Sequence, residues 1–229
     1  MQPRELHRWL QTSDIFGGLE PRCLVRVAEA TRILSFPAGR CLFRQSDEAD
    51  GLYIVIEGLV RIHLAHVDGR EFTLALLEPG DVIGEIALLD GRPRTATATA
   101  LELTRTAFVS RLHFQRLVAD FPQIAQHVIL VLCDRLRRNT GQINDNAFLD
   151  LRRRLLNLLR ELAIAHGRIA GERGEVPTRF TQTDIAHMLG VTREAVNKQF
   201  RALARDGVLT ITAEAIVLDM PRCGVTERH

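Results

Sequence analysis

The sequence predicts an α+β chain built from an N-terminal β-roll, one long helix and a smaller C-terminal domain. Three observations lead to this prediction. Short β-type runs separated by glycine turns occupy residues 33–111, apolar residues recur every three or four positions from about residue 121, and two short helical patterns followed by two strands occupy residues 181–218. The predicted domains are residues 1–120, residues 121–148 and residues 149–229.

The first domain reads as a small β-barrel or roll because its strands are short, numerous and regularly spaced. Asp68-Gly69 lies between two alternating runs and predicts a tight hairpin turn, since both residues tolerate positive φ. At Gly84 the strand pattern stops, and residues 85–89 fit a single helical turn. The free N–H groups at the start of such a turn favour an anion.

An acid and an arginine flank this turn. Arg94 is expected to face it and to donate two hydrogen bonds to a phosphate, with Thr95 adding a hydroxyl. Glu85 is an acceptor only, so it suits a sugar hydroxyl and not a phosphate. A cyclic nucleotide carries both groups. The alternative is a structural ion pair between Glu85 and Arg94 at a corner of the roll.

The middle segment predicts a helix of about 27 residues, roughly 40 Å long, with a narrow apolar stripe. The stripe consists of Ile124, Val128, Val131, Leu132, Leu136, Ile143 and Ala147. A stripe of this kind on a long helix predicts a seam between two copies of the chain. Asn139 and Thr140 interrupt it, and Asn139 can alternatively serve only to fix the register of the seam.

The C-terminal domain contains two capped helices joined by a glycine. Residues 166–177, with three glycines and a proline, predict a loop before them. Thr181 caps a helix that ends near Leu189, Gly190 supplies the turn, and Thr192 caps a second helix that reaches about Ala204. Two short apolar strands, residues 208–211 and 216–218, follow as a wing. This is a winged helix-turn-helix pattern.

The exposed side of the second helix carries the chemistry of DNA readout, because arginine can donate to guanine, glutamate can accept from cytosine, and basic side chains reach phosphates. The residues on that side are Arg193, Glu194, Asn197, Lys198 and Arg201. Residues 177–205 hold five basic and two acidic residues, whereas the whole chain has a formal net charge of only +2. An ordinary helix pair with a solvated charged face is the alternative.

Two motifs carry a family resemblance. Residues 84–88 (GEIAL) with residues 93–96 (PRTA) closely resemble the phosphate-binding cassette of cyclic nucleotide-binding domains. With residues 146–150 at the hinge and residues 192–198 in the second helix, the chain from about residue 15 to 218 resembles a bacterial CRP/FNR-family transcription regulator. The resemblance implies a β-roll of the double-stranded jelly-roll type, a dimerisation helix and a winged helix-turn-helix.

The resemblance also implies the functional residues. Gly84 and Glu85 would meet a ribose, Arg94 and Thr95 the cyclic phosphate, and Asn139 and Thr140 the purine. The full ligand-binding set is Gly84, Glu85, Ile86, Ala87, Arg94, Thr95, Asn139 and Thr140. The DNA-binding set is Thr181, Thr192, Arg193, Glu194, Asn197, Lys198 and Arg201.

The expected activating ligand is cyclic AMP. Asn139-Thr140 departs from the Thr-Ser pair that is typical of cyclic AMP receptors, so the choice of base stays open. Thr95 additionally favours binding of cyclic GMP, as the Thr beside the cassette arginine does in cyclic GMP-dependent kinases. Ligand binding is expected to shift the hinge at residues 146–150 and with it the spacing of the two DNA-reading helices.

Other classes of protein fit the sequence less well. The four cysteines are scattered and do not supply an iron–sulfur cluster, and His63 and His66 are expected to be structural or solvent-facing rather than haem ligands. Neither a metal site nor an enzyme's nucleophile–base pair is predicted. Without an apolar signal core or membrane span, we expect a cytoplasmic protein. The expected partners are duplex DNA, a cyclic nucleotide, a second copy of the chain and RNA polymerase.

A rival of the same fold remains, in which the regulator is constitutively active or takes a non-nucleotide effector. In that rival, Glu85 and Arg94 form the structural ion pair.

Overall fold

The computed structural model describes residue 6, residues 9–66 and residues 68–223. The chain divides into two compact units, Met1–Asn139 and Thr140–His229, and the boundary falls within one long helix. Each unit is described by itself.

Among the described residues, the first unit contains eight strands and the helices that flank them. In chain order its elements are α1 (Pro21–Glu29), β1 (Thr31–Phe36), β2 (Cys41–Phe43), β3 (Gly51–Glu57), β4 (Val60–Ala65), β5 (Glu71–Leu77), β6 (Val82–Ile83), α2 (Glu85–Asp90), β7 (Thr97–Ala100), β8 (Thr104–Ser110), α3 (Arg111–Asp120) and α4 (Gln123–Phe148). The last of these continues into the second unit.

The strands form two four-stranded antiparallel sheets, with orders β1-β8-β3-β6 and β2-β7-β4-β5. The predicted roll is confirmed, and so is the β4–β5 hairpin. A register break between Ile62 and His63 interrupts the alternation of β4. His63 is consequently buried, and its Nε2 lies 3.1 Å from the Thr99 hydroxyl.

The long helix α4 has 26 residues, close to the predicted length. Some of its apolar residues pack in the core of the first unit, whereas others are exposed. Ile124 and Val128 are buried in the core of the first unit, and Val131 and Leu132 pack against that core. The prediction that all of these residues belong to a seam between two copies is therefore wrong for Ile124 and Val128, since a buried side chain cannot also face a partner.

Two residues of the predicted stripe, Leu136 and Ile143, remain exposed on α4 together with Ile129. Ile129, Leu136 and Ile143 lie seven residues apart and expose 58%, 67% and 68% of their surface. Seven-residue spacing places side chains on one face of a helix, as in the seam of a coiled coil. Large apolar side chains exposed in a row are a feature of interaction surfaces.

In the described residues that follow α4, the second unit joins three helices to a four-stranded sheet. Its elements after α4 are α5 (Leu151–His166), β9 (Arg168–Ala170), β10 (Arg173–Pro177), α6 (Gln182–Leu189), α7 (Arg193–Arg205), β11 (Leu209–Ile211), β12 (Ala215–Asp219) and a 3₁₀ turn (Pro221–Cys223). The sheet has the order β11-β12-β10-β9. The predicted wing, β11 and β12, is therefore part of a larger sheet in which β12 also pairs with β10.

The segment HGRIAGERGEVP at residues 166–177 forms the β9–β10 hairpin, and the prediction of a loop there is wrong. Its glycines are needed by this geometry. Gly171 takes a positive φ of 58°, and a Cβ on Gly174 would lie 2.8 Å from the sulfur of Met220. Glycine content alone therefore predicts the wrong secondary structure here.

Within the described residues, no single helix is long and apolar enough to cross a membrane, although α3 and α4 taken together, bent by 114°, pass the same test of length and composition.

Candidate functional sites

Gly84 begins the candidate nucleotide site as the N-cap of α2. Its φ of 86° lies in the left-handed region, and a Cβ at this position would lie 2.2 Å from Nη1 of Arg94. That nitrogen donates to the Gly84 carbonyl oxygen at 2.9 Å. Both backbone conformation and close approach therefore require glycine, and they place Arg94 against the start of α2.

Arg94 is almost completely buried, with 2% of its surface exposed. Its Nη2 donates to the Gly51 carbonyl at 2.6 Å and to Oδ1 of Asp50 at 2.8 Å, and its guanidinium lies 4.2 Å from the centre of the Phe43 ring. Asp50 is 64% exposed. The guanidinium is thus held by the protein and capped by one carboxylate that reaches solvent.

The surroundings of Arg94 are largely apolar. Tyr53 packs against Phe43 and Phe108, and burial, with a smaller contribution from Asp50, raises the pKa of Tyr53 to about 12. Desolvation strengthens charge–charge interactions. An anion that replaces the Asp50 carboxylate here would bind more tightly than at an exposed arginine.

Backbone hydrogen bonds fix the loop that carries Asp50 against the Arg94 segment. The Arg94 N–H donates to the Asp47 carbonyl at 2.9 Å, and the Ser46 N–H donates to the Arg94 carbonyl at 2.8 Å. Ser46 has a positive φ of 70°, which is uncommon for a residue with a Cβ. The position of Asp50 relative to Arg94 is therefore set by both chain segments.

Glu85, the first residue of α2, has a different partner from the one that the sequence suggests. It is 1% exposed, and its Oε1 accepts a hydrogen bond from Nη1 of Arg135 at 2.5 Å. Arg135 also donates to the Val82 carbonyl oxygen. The alternative of a Glu85–Arg94 ion pair is therefore wrong, because each residue has its own opposite charge.

One oxygen of Glu85 remains available. Its Oε2 is buried and has no hydrogen-bond partner among the described residues. A buried carboxylate oxygen without a donor is costly, so this atom is suited to accept from a hydroxyl group. Such a contact fits the ribose role that the resemblance assigns to Glu85.

Asp14 is a further acidic residue that interacts with Arg135. Partial desolvation first, and then the nearby carboxylate of Asp81, raise the pKa of Asp14, while Arg135 and Arg138 act in the opposite direction. The Asp14 N–H donates to the Gly80 carbonyl at 3.1 Å, which ties the N-terminal segment to the turn before β6. The region around Glu85 therefore has several coupled charges.

Asp50 and Arg135 are site residues that the sequence did not predict. Arg135 lies four residues before Asn139, so both are on one face of α4, and this spacing was an available signal. Asp50 is 44 residues from Arg94, and no local pattern links the two.

The other predicted ligand residues are only partly brought together. Ala87 is buried, whereas Ile86 and Thr95 are exposed. Asn139 and Thr140 are both exposed on α4, and the two residues fall in different units. Their contact with a purine stays a prediction.

The candidate DNA-reading unit has the predicted helix ends. Thr181 and Asp184 form a capping box at the start of α6, with the Asp184 N–H 3.2 Å from the Thr181 hydroxyl. Gly190 has a φ of 65° in the turn, and the Thr192 hydroxyl accepts from the Ala195 N–H at the start of α7.

The two sides of α7 differ as expected. Val196, Phe200 and Leu203 are buried. The opposite side exposes Arg193, Glu194, Lys198 and Arg201, and Asn197 is half-buried between them. A shallow concave surface on this side is lined by Glu194, Asn197, Lys198, Arg201, Ala202 and Arg205. Arg205 is an addition to the predicted set.

No group of three or more His, Cys, Asp or Glu side chains in the described part of the chain could hold a metal ion. The cysteines Cys23, Cys41, Cys133 and Cys223 are free thiols.

Comparison with known proteins matches both units. The family model described as the cyclic nucleotide-binding domain matches residues 33–121, and that of the Crp-like helix-turn-helix domain matches residues 153–222. The CRP-like cAMP-activated global transcriptional regulator of Mycobacterium tuberculosis (strain CDC 1551 / Oshkosh) is 32% identical over 91% of this chain and 93% of its own length.

Two further proteins extend the comparison. The cyclic AMP receptor protein of Thermus thermophilus is 31% identical over 88% of this chain and 90% of its own. The solved structure of the c-di-GMP responsive global regulator CLP of Xanthomonas campestris shares the fold, with a TM-score of 0.78, 24% identity, and coverage of 87% of this chain and 99% of that one. With matches to both domains and across nearly its whole length, this chain belongs to the CRP/FNR family of DNA-binding transcription regulators.

Proposed function

We propose that the protein is a sequence-specific transcription regulator that responds to a cyclic nucleotide and acts as a homodimer. Two neighbouring groups carry the ligand proposal. Arg94 is buried and forms an ion pair with Asp50, whose side chain reaches solvent. Glu85 is also buried, and its Oε2 has no partner among the described residues. A phosphate suits the first group and a ribose hydroxyl suits the second.

Binding is proposed as an exchange of partners. The cyclic phosphate takes the place of the Asp50 carboxylate on Arg94, and a ribose hydroxyl donates to Oε2 of Glu85. Arg94 keeps its bonds to the Gly84 and Gly51 carbonyls throughout, so it needs little reorganisation. Thr95, exposed beside it, adds a hydroxyl contact.

Cyclic AMP is the proposed activating ligand, because two similar regulators are named for it. Cyclic GMP is proposed to bind as well, through Thr95. The name of the fold neighbour CLP refers to c-di-GMP, so that dinucleotide is the rival ligand to be tested. The base is proposed to meet Asn139 and Thr140 of α4.

The homodimer is proposed to form along the exposed stripe Ile129, Leu136 and Ile143 of α4. Arg135 lies next to Leu136 on the same helix and binds Glu85, so a ligand at Glu85 has a direct contact through which to influence this helix. The proposed response is a shift between two arrangements of the hinge at residues 146–150.

The proposed target is a palindromic duplex whose half-sites resemble TGTGA and lie about one helical turn apart, which matches two copies of α7. RNA polymerase is the further proposed partner, and the cytoplasm the proposed location. We assign the protein a regulatory and not an enzymatic role, as its relatives are transcription regulators.

A second candidate is a regulator of the same fold that works without a nucleotide. It is favoured by the observation that Arg94 and Glu85 already have opposite charges in Asp50 and Arg135. Such a protein would bind DNA equally well with and without added nucleotide.

Titration calorimetry separates these candidates, with cyclic AMP, cyclic GMP and c-di-GMP as ligands. Arg94→Leu should lose about 2 to 4 kcal/mol of binding free energy, roughly 30-fold to 1000-fold in affinity. Arg92→Leu removes an exposed arginine two residues away and should bind as wild type does. If wild type binds none of the three at millimolar concentration, or Arg94→Leu binds equally well, the ligand assignment is wrong.

A further inference from the structure

Two arginines in the first turn of α5 hold the ends of both helices of the helix-turn-helix. Nη2 of Arg154 donates to the Leu189 carbonyl oxygen at 2.5 Å, and Leu189 is the last residue of α6. Nη2 of Arg152 lies 2.8 Å from Oδ2 of Asp206, which is the C-cap of α7. One turn of a helix outside the helix-turn-helix pair thus contacts the C-terminal end of each helix of that pair.

The electrostatics of helix ends favour both contacts. The last carbonyls of a helix lack intrahelical donors and carry the negative end of the helix dipole. The Arg154 guanidinium supplies both a hydrogen-bond donor and a positive charge to the Leu189 carbonyl. An aspartate is disfavoured at the same end of a helix, because its charge repels the dipole. Arg152 compensates for that charge at Asp206.

Packing alone leaves the direction of α7 less well defined. Leu155 and Leu159 of α5 and Leu203 of α7 are buried aliphatic residues, and the attraction between such side chains is non-directional. Hydrogen bonds to a carbonyl and a carboxylate have fixed distances and directions. They fix how α6 and α7 are turned on α5 in a way that apolar contacts do not.

A small rotation has a large effect at the other end of the reading helix. The 13-residue α7 is about 20 Å long, and Arg193, the first base-reading candidate, lies at the end opposite Asp206. Bidentate contacts to base edges tolerate little displacement, whereas phosphate contacts through long basic side chains tolerate more.

We propose that Arg152 and Arg154 are positioning residues for base readout, acting through α7 and α6 and not through contact with DNA. This rests on the proposed sequence-specific readout by α7. Their loss should therefore reduce affinity for the specific sequence while leaving non-specific affinity nearly unchanged. A purely structural role would lower stability without this selectivity, and a phosphate contact would lower affinity for all sequences equally.

The test uses the full-length protein and two duplexes: the sequence that wild type selects from a randomised library, and a scrambled duplex of the same composition. Fluorescence anisotropy at one fixed salt concentration measures both affinities for Arg154→Met, Arg152→Met and Arg153→Met. Arg153 is the matched control, since it is an exposed arginine of the same turn. Thermal unfolding of each variant is recorded in parallel. If wild type selects no sequence, the proposed function fails before the variants are compared.

We expect Arg154→Met to lose about tenfold or more on the selected duplex and less than about twofold on the scrambled one. Arg152→Met should lose about threefold to tenfold on the selected duplex, and should lose nothing further when it is combined with Asp206→Asn. The control Arg153→Met should change both affinities equally. Arg154→Lys keeps one donor for the Leu189 carbonyl and should recover most of the lost selectivity. If Arg154→Met does not fold, the affinities of Arg154→Lys for the two duplexes test the proposal instead.

Equal losses on both duplexes would overturn the proposal and indicate phosphate contacts. Unchanged affinity for the selected duplex in folded Arg152→Met and Arg154→Met would also overturn it, as would an Arg154→Lys protein that is stable but as unselective as the methionine variant.

Discussion

Arg135 of the long helix α4 donates to Glu85 across 50 positions of sequence, and this contact joins the helix to the candidate nucleotide site. Glu85 is buried, whereas Arg135 is about one-quarter exposed. Removing one partner of such a pair leaves a buried charge without compensation. We expect Arg135→Met to lower the free energy of unfolding by about 2 to 4 kcal/mol in urea titrations.

The double variant Arg135→Met with Glu85→Gln tests whether the uncompensated charge of Glu85 causes the loss of stability. It should recover part of the lost stability, because no buried charge remains. A single variant Arg135→Met as stable as wild type would show that the contact contributes nothing to the fold.

Asp50 competes with an incoming phosphate for Arg94. We expect Asp50→Asn to raise affinity for cyclic AMP by about threefold to tenfold, because the guanidinium then lacks a competing carboxylate. Calorimetry measures the change in affinity. Asp47→Asn is not a suitable control, because the side chain and the carbonyl of Asp47 accept hydrogen bonds that hold the loop before Asp50. Glu48→Gln is the suitable control for the change in net charge. Weaker binding in Asp50→Asn would mean that this carboxylate organises the site.

The pKa of Asp14 predicts a pH dependence of stability. Partial desolvation and Asp81 raise this pKa above its ordinary value of 3.8, so the folded state binds the proton more tightly than the unfolded state does. The contribution of Asp14 therefore favours folding at low pH and becomes unfavourable as pH rises through its raised pKa. Asp14→Asn should be more stable than wild type at neutral pH and should lack this part of the pH dependence.

Urea unfolding at a series of pH values measures this effect. Asp68 is a control of opposite sign, since the Arg70 backbone N–H lowers its pKa to about 2 and its contribution is lost as pH falls through that value. If Asp14→Asn and wild type show the same pH profile, Asp14 does not contribute to the pH dependence of stability.

Leu136 tests the proposed dimer. Leu136→Asp places a charge in the exposed apolar stripe of α4, where pairing of two helices would bury it at a cost of several kcal/mol, on the order of 3. We expect a folded monomer by light scattering, because Leu136 is two-thirds exposed within one chain. Asn144→Asp adds the same charge to an exposed position of α4 off the stripe and should remain dimeric.

Val131→Asp is expected to behave differently from Leu136→Asp. Val131 packs against the core of the first unit, so its replacement should destabilise the β-roll itself. A dimer that persists in Leu136→Asp would place the seam elsewhere.

Arg193 tests base readout. Because it is exposed at the start of α7, Arg193→Ala should cost about 1 to 3 kcal/mol per half-site and should relax selectivity at one base pair. Selection from random DNA, repeated with the variant, measures the selectivity. A loss of affinity that is equal for every sequence would show that Arg193 contacts phosphate only.

The local patterns of the sequence predicted the elements that depend on neighbouring residues. Thr181, Gly190 and Thr192 mark the ends of α6 and α7 because capping and left-handed turns depend on residues a few positions apart. The length of α4 followed from its periodicity in the same way. The β9–β10 hairpin was missed, since its glycines resemble those of a loop until the contact between Gly174 and Met220 is known.

Local sequence patterns and the family resemblance predict the fold class, the two helices of the reading motif, the cassette glycine, and Glu85 and Arg94 as the central charges of the candidate site. The charges that these two residues contact depend on how distant segments of the chain pack together. Asp50 approaches Arg94 from 44 positions away, and Arg135 approaches Glu85 from 50 positions away. Periodicity and capping act over a few residues, whereas ion pairs depend on how distant segments fold together. The partners of Glu85 and Arg94 could therefore be identified only in the folded chain. The same holds for the division of the apolar residues of α4 between core and surface.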